Sequence, residues 1–112
     1  MNRRVLKFSM SLLLLALSYA PTAGAADNSS PVAITIDNFS FTPQEVKVKA
    51  GTTIVWTNRD DIPHTVVSSD DGAFKSKALD TDDKFTTTLT KPGTYAYYCS
   101  IHPKMTGKIV VE

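Results

Sequence analysis

From Val32 to Val111 this chain alternates short apolar, β-branched segments with turn residues, and that rhythm constrains its fold more than any other feature. Val32-Ala33-Ile34-Thr35-Ile36 is apolar apart from Thr35, Val46-Lys47-Val48-Lys49 alternates strictly, and Thr53-Ile54-Val55-Trp56-Thr57 is β-branched and aromatic. Further strands are predicted over His64 to Ser68, Phe85 to Leu89, Thr94 to Cys99 and Lys108 to Val111. Ala50-Gly51, the loop from Asn58 to Pro63, Asp70-Asp71-Gly72 and Lys91-Pro92-Gly93 separate them. An alternating strand buries one face and needs a second layer to cover it, so the pattern predicts an all-β sandwich or barrel of about seven to eight strands. Only Ser76 to Asp83 has room for a short helical turn, and there is no repeat or low-complexity tract.

The first residues set the compartment. Arg3, Arg4 and Lys7 precede a mostly apolar run from Phe8 to Ala20, and Ala23-Gly24-Ala25 offers a small-residue cleavage site. Together they read as a secretory signal peptide over residues 1–25, ahead of one domain at 26–112. The run is shorter than the ~20 helical residues that cross a bilayer, which makes a membrane anchor the weaker reading. Arg3-Arg4 partly matches a twin-arginine signal, although the Leu-rich run fits the ordinary secretory route better. An exported, periplasmic protein is expected. Of 12 Lys+Arg against 11 Asp+Glu, the leader removes three basic residues and leaves a slightly acidic domain with no basic face for nucleic acid. A single Cys in an oxidising compartment cannot form an internal disulfide. It is buried and inert, paired with another chain, or bound to a metal.

The third option gains weight from its neighbours. Cys99-Ser100-Ile101-His102-Pro103-Lys104-Met105 sets a thiolate, an imidazole and a thioether at three-residue intervals, and His64 supplies the second of the chain's two imidazoles. Residues three apart in a tight turn point to one side, so Cys99, His102 and Met105 can converge, with His64 approaching from a neighbouring strand at the same end. Taken singly, each has an ordinary explanation: Cys and Met are common core fillers, and either His can sit in a satisfied loop. Taken together they form the set expected of a mononuclear copper site, in which the thioether is the weak axial ligand. Zinc is the competitor, but Met is not among its usual ligands.

On these residues the chain resembles small type I (blue) copper proteins of the cupredoxin family, nearest the amicyanin and plastocyanin branch. The resemblance runs through Phe39-Ser40-Phe41-Thr42-Pro43, Val48 with Gly51, Trp56 with Asn58, Pro63-His64-Thr65-Val66, Phe74 with Ser76 and Leu79, Pro92-Gly93-Thr94-Tyr95 and the Cys99 to Met105 loop. It implies a Greek-key sandwich with one copper at one end, held by His64, Cys99, His102 and Met105. It also implies that His102 is the solvent-edge ligand through which electrons leave. Two positions depart from the pattern: Ile101 stands where amicyanins carry proline, and Thr65 where Asn commonly ties the two ligand loops. Thr65 retains the chemistry to bond toward Ser100, at shorter reach.

The expected function is that of a one-electron carrier, not an enzyme, working as a monomer with transient redox partners. Ile62, Pro63, Ile101 and Pro103 are candidates for an apolar collar around His102, with Lys104 the charge beside it, and such encounters are small and weak. The acidic pairs Asp60-Asp61, Asp70-Asp71 and Asp82-Asp83 read as solvated turn residues. The alternative is a periplasmic copper-binding or copper-delivery protein, which Met-rich or His-rich tracts would favour; the chain has neither. With both imidazoles committed to one site, no second His-ligated copper centre for oxidase chemistry can be assembled.

Overall fold

Strand alternation decides what lies inside. In β1 (Val32–Asp37) Ile34 and Ile36 are buried while Ala33 and Thr35 face out. In β4 (Thr52–Asn58) Thr52, Ile54, Trp56 and Asn58 all point inward. The computed structural model describes residues 30–70 and 72–112. The signal-peptide reading over residues 1–25 and the Asp71 half of one acidic pair lie outside the described residues.

Among the described residues eight strands form two four-stranded sheets, which is the all-β sandwich the sequence predicts. One sheet runs β2 (Ser40–Thr42), β1, β4, β6 (Lys84–Leu89). The other runs β3 (Glu45–Val48), β8 (Thr106–Val111), β7 (Gly93–Tyr98), β5 (Val67–Ser68). β1 pairs in parallel with β4, and β3 with β8; the remaining pairs are antiparallel. Trp56 centres the core. Its ring lies 5.6 Å from Phe74, 5.5 Å from Phe85 and edge-on to Tyr97 at 5.4 Å. Burying each such ring contributes about 1.5–3 kcal/mol, so this cluster helps hold the two sheets together, and it shares one core with Cys99 and Met105.

Two expectations need correction. The strand predicted from His64 to Ser68 contracts to Val67–Ser68, because the preceding residues spend their hydrogen bonds elsewhere. The His64 N–H donates to the Leu79 carbonyl (3.1 Å), the Leu79 N–H to the His64 carbonyl (2.7 Å) and the Ser76 N–H to the Val66 carbonyl (2.8 Å). The same bonds hold Ser76 to Leu79 extended, so no helical turn forms where Ser76 to Asp83 had room for one; Thr81 and Asp82 form a plain turn. β2 has no counterpart among the strands read from sequence. At three residues it carries too little alternation to register.

Candidate metal centre

Asn58, buried at the end of β4, shapes the loop that delivers His64. Its amide donates to the carbonyls of Ile62 (2.9 Å) and Leu79 (2.8 Å), and its carbonyl oxygen accepts the Asp60 N–H (2.9 Å). That satisfies a buried polar side chain completely and fixes the path from Asn58 to Pro63. His64 follows, fully buried, with both backbone groups bonded to Leu79.

The second loop leaves β7 at Cys99 and enters β8 after Met105. Its backbone makes two i→i+3 bonds, His102 N–H to Cys99 carbonyl (3.2 Å) and Met105 N–H to His102 carbonyl (2.9 Å), and is closed by Cys99 N–H to Met105 carbonyl (3.0 Å). This is the tight three-residue geometry expected from the spacing. Cys99 and Met105 are buried in the core cluster, and His102 is partly exposed.

The side chains converge. Cys99 Sγ lies 3.7 Å from His64 Nδ1 and 3.8 Å from His102 Nδ1, and the three donor atoms all lie within 4.8 Å of one another. Bonds of about 2.0–2.1 Å to imidazole nitrogen and about 2.3 Å to thiolate sulfur, opened to a trigonal angle, separate nitrogen from sulfur by about 3.8 Å. The triangle thus fits one ion near its plane, and the mixed sulfur and nitrogen donor set is that of a copper site.

Electrostatics favours the thiolate. Burial pushes the Cys99 thiol up, but the Thr65 N–H at 3.4 Å, the two imidazoles and the His102 amide outweigh it and bring the pKa from 9.0 down to about 6. Thr65 also spans the two loops as its sequence position suggests. Its hydroxyl oxygen accepts the Ser100 N–H at 2.7 Å and lies 2.8 Å from the Ser100 hydroxyl.

One acidic residue belongs to the site in a way the sequence did not disclose. Asp60, read as a solvated turn residue, is instead largely enclosed, with Oδ2 2.7 Å from His64 Nε2. The Asn38 N–H (2.6 Å) and the Phe39 N–H (3.0 Å) donate to the same carboxylate. Burial raises its pKa, the Phe39 and Asn38 amides and His64 lower it further, and the result falls from 3.8 to about 2. A carboxylate on Nε2 selects the tautomer that leaves the Nδ1 lone pair facing Cys99, and it strengthens that nitrogen as a donor. Phe39 itself lies edge-on to both imidazoles, 5.6 Å from His64 and 5.1 Å from His102. Neither residue carries a local signal for these roles, since both contacts cross between loops. Of the expected collar, Pro63, Ile101 and Pro103 are exposed and Ile62 is half-buried.

A family model described as a cupredoxin-like domain matches residues 8–111. Amicyanin-alpha of Methylorubrum extorquens is 35% identical over 118 residues, covering 97% of this chain and 99% of that protein. Amicyanin of Paracoccus versutus is 32% identical over 99 residues, covering 85% of this chain and 75% of its own length. Among solved structures, an oxidized mutant of amicyanin superposes with a TM-score of 0.69 at 33% identity, covering 72% of this chain and 81% of that one. A purple cupredoxin from Nitrosopumilus maritimus gives 0.67, also at 33% identity, over 72% and 99%. The sandwich, the His64–Cys99–His102 triangle and these likenesses agree: the chain belongs to the cupredoxin family of copper proteins.

Proposed function

We propose that this protein is a periplasmic carrier of single electrons, with His64, Cys99, His102 and Met105 as the ligands of one copper. The observation that carries the reading is the triangle of one buried sulfur and two Nδ1 atoms at 3.7 and 3.8 Å from it. Copper bound there supplies a couple between Cu(I) and Cu(II), and every other task falls to the chain. The two sheets and the i→i+3 bonds of the ligand loop hold the donors in place, so little has to move when an electron arrives or leaves. Thr65 draws charge from the Cys99 sulfur and bridges the loops; Asp60 fixes the His64 tautomer. His64 is sealed inside, whereas His102 reaches the surface between Ile101 and Pro103, which makes it the exit and its surroundings the docking face for a redox partner. Export through a signal peptide over residues 1–25 would bring the protein to the periplasm; among the described residues no helix is long and apolar enough to cross a membrane.

One spectrum tests the reading. Copper(II) added to the metal-free protein should give an intense visible band from Cys99 charge transfer, and Cys99→Ser should abolish it. A colourless copper(II) complex with Cys99 intact would refute the site. If the colour forms but the reduced protein passes its copper stoichiometrically to a second metal-binding protein faster than it exchanges electrons, delivery replaces transport as its role.

A further inference from the structure

Phe39 is out of place by two ordinary rules. It is one of two large hydrophobic side chains left exposed among the described residues, at 52%, and its backbone is left-handed at φ 57° directly after Asn38 at φ 52°. Asn tolerates that region and Gly prefers it; a bulky aromatic residue does not. Strained conformations of this kind persist where the surroundings over-determine them. Here Asp60 does so, accepting both turn amides, Asn38 at 2.6 Å and Phe39 at 3.0 Å.

The fixed turn has a visible product. The Phe39 ring stands nearly perpendicular to both imidazoles, at 88° to His64 and 83° to His102, while those two rings lie 5.1 Å apart. Edge-to-face is the favoured geometry for aromatic pairs. The two imidazoles differ in what else restrains them. His64 is buried and tied to Asp60 through Nε2. His102 is partly exposed, and among the described residues its ring has no hydrogen-bond partner besides the long contact to Cys99 Sγ. Phe39 and the already fixed His64 ring, each 5.1 Å from it, are therefore the two aromatic neighbours that bound the His102 ring.

We propose that Phe39 is a positioning residue of the metal centre: held over the two imidazoles by the Asp60-bonded turn, its ring keeps His102 facing Cys99 before any metal is present. The inference rests on His102 as a copper ligand. A ligand already facing the ion loses less rotamer freedom on binding, so preorganisation shows as slower metal loss.

The test uses the full protein and three variants. Phe39→Leu keeps apolar bulk and removes the ring, Phe39→Tyr keeps the ring, and Phe39→Gly removes the ring while relieving the left-handed backbone. In the metal-free protein, NMR relaxation of the His102 ring reports its orientation without copper. A single orientation is expected in wild type and Phe39→Tyr, and averaging in Phe39→Leu and Phe39→Gly. In the copper(I) protein, transfer to excess chelator should run about two- to tenfold faster in the Leu and Gly variants, the worth of one aromatic pair, and within about twofold of wild type in the Tyr variant. A purely structural role would lower the metal-free melting temperature while leaving the His102 ring fixed. Identical His102 dynamics and copper loss in the Leu and Tyr variants overturn the proposal. Failure of the wild type to bind copper would instead overturn the proposed function, and the metal-free NMR comparison would still decide the role of Phe39.

Discussion

Replacing Asp60 with Asn should raise the reduction potential and weaken copper binding, and the size of both effects follows from geometry. The carboxylate lies 2.7 Å from His64 Nε2, with the ring and a metal–nitrogen bond of about 2 Å beyond it, which places the charge about 6–7 Å from the ion. At an effective dielectric of 20–40 that charge stabilises the extra positive charge of Cu(II) by about 1–2.5 kcal/mol, or about 50–110 mV for a one-electron couple. The side chain is only 11% exposed, so solvent screens little of it. The amide creates a second fault. Asp60 Oδ2 faces both the Phe39 N–H and His64 Nε2, and an NH2 group there would oppose donors with a donor. His64 must then lose its partner or adopt the tautomer that protonates Nδ1, and a loss of about 10–100-fold in copper affinity is expected. A redox titration followed by visible absorption measures the potential, and competition with a chelator of known affinity measures binding. Asp60→Glu, which keeps the charge, should recover part of both. A shift below about 15 mV, a quarter of a decade in the equilibrium, with affinity unchanged would refute the assignment of Asp60 to the site. The metal-free protein offers an independent arm. A carboxyl depressed from 3.8 to about 2 adds stability at all pH values above 3.8 and loses it as pH falls through 2. Acid unfolding of Asp60→Asn should therefore show a smaller loss of stability over that range than wild type.

Four further outcomes are expected. Copper-loaded protein should melt well above metal-free protein, since a ligand at a thousandfold excess over its Kd adds about 4 kcal/mol; equal melting temperatures would count against a native site. Met105→Gln should retain the colour and lower the potential, because an oxygen donor at the axial position favours Cu(II), and a raised potential would exclude Met105 as a ligand. The Tyr97 pKa is pushed up to about 12 by burial, with Trp56 pulling it back only in part, so the stability it protects is complete below pH 10 and falls as pH rises through 12. Tyr97→Phe, which removes the titrating hydroxyl, should remove about 2–3 kcal/mol of that alkaline loss; an unchanged alkaline unfolding profile would refute it. Gly107→Ala should cost about 1–3 kcal/mol in denaturant unfolding, because a methyl group there collides with the Tyr97 ring, and wild-type stability would show that the ring yields freely.

The fold was legible wherever alternation ran long enough to cancel local noise. Ile34 and Ile36, or Ile54 and Trp56, declare a buried face, and the strands around them end within a residue or two of their expected bounds. His64 to Val66 carries the same β-branched character, yet its partners belong to the Ser76–Leu79 segment, and no window of sequence contains both. The ligand loop was legible for the opposite reason. Cys99, His102 and Met105 lie within seven consecutive residues, and the two i→i+3 bonds that bring the Cys99 and His102 donors together follow from that spacing. Asp60 and Phe39 illustrate the remainder. Two adjacent aspartates in a loop look solvated until a distant turn presents its amides to one of them, and an exposed phenylalanine looks incidental until the fold stands it over two imidazoles.

The position of β8 carries a consequence for how the protein assembles. β8 follows every other strand among the described residues, but it lies inside its sheet, flanked by β3 and β7. Val48 pairs with Val111, so the β3 edge stays open until nearly the whole domain has been made and brought together. Long-range parallel pairing of this kind is slow to form, and an open edge is exposed to wrong partners while it waits. The ligand loop runs straight into β8, with the Cys99 N–H bonded to the Met105 carbonyl at its neck. The step that seats β8 is therefore the step that brings Met105 back beside Cys99. The closing of the loop and the filling of the sheet are thus one event, and a fault in β8 would reach the Cys99 end of the loop as well.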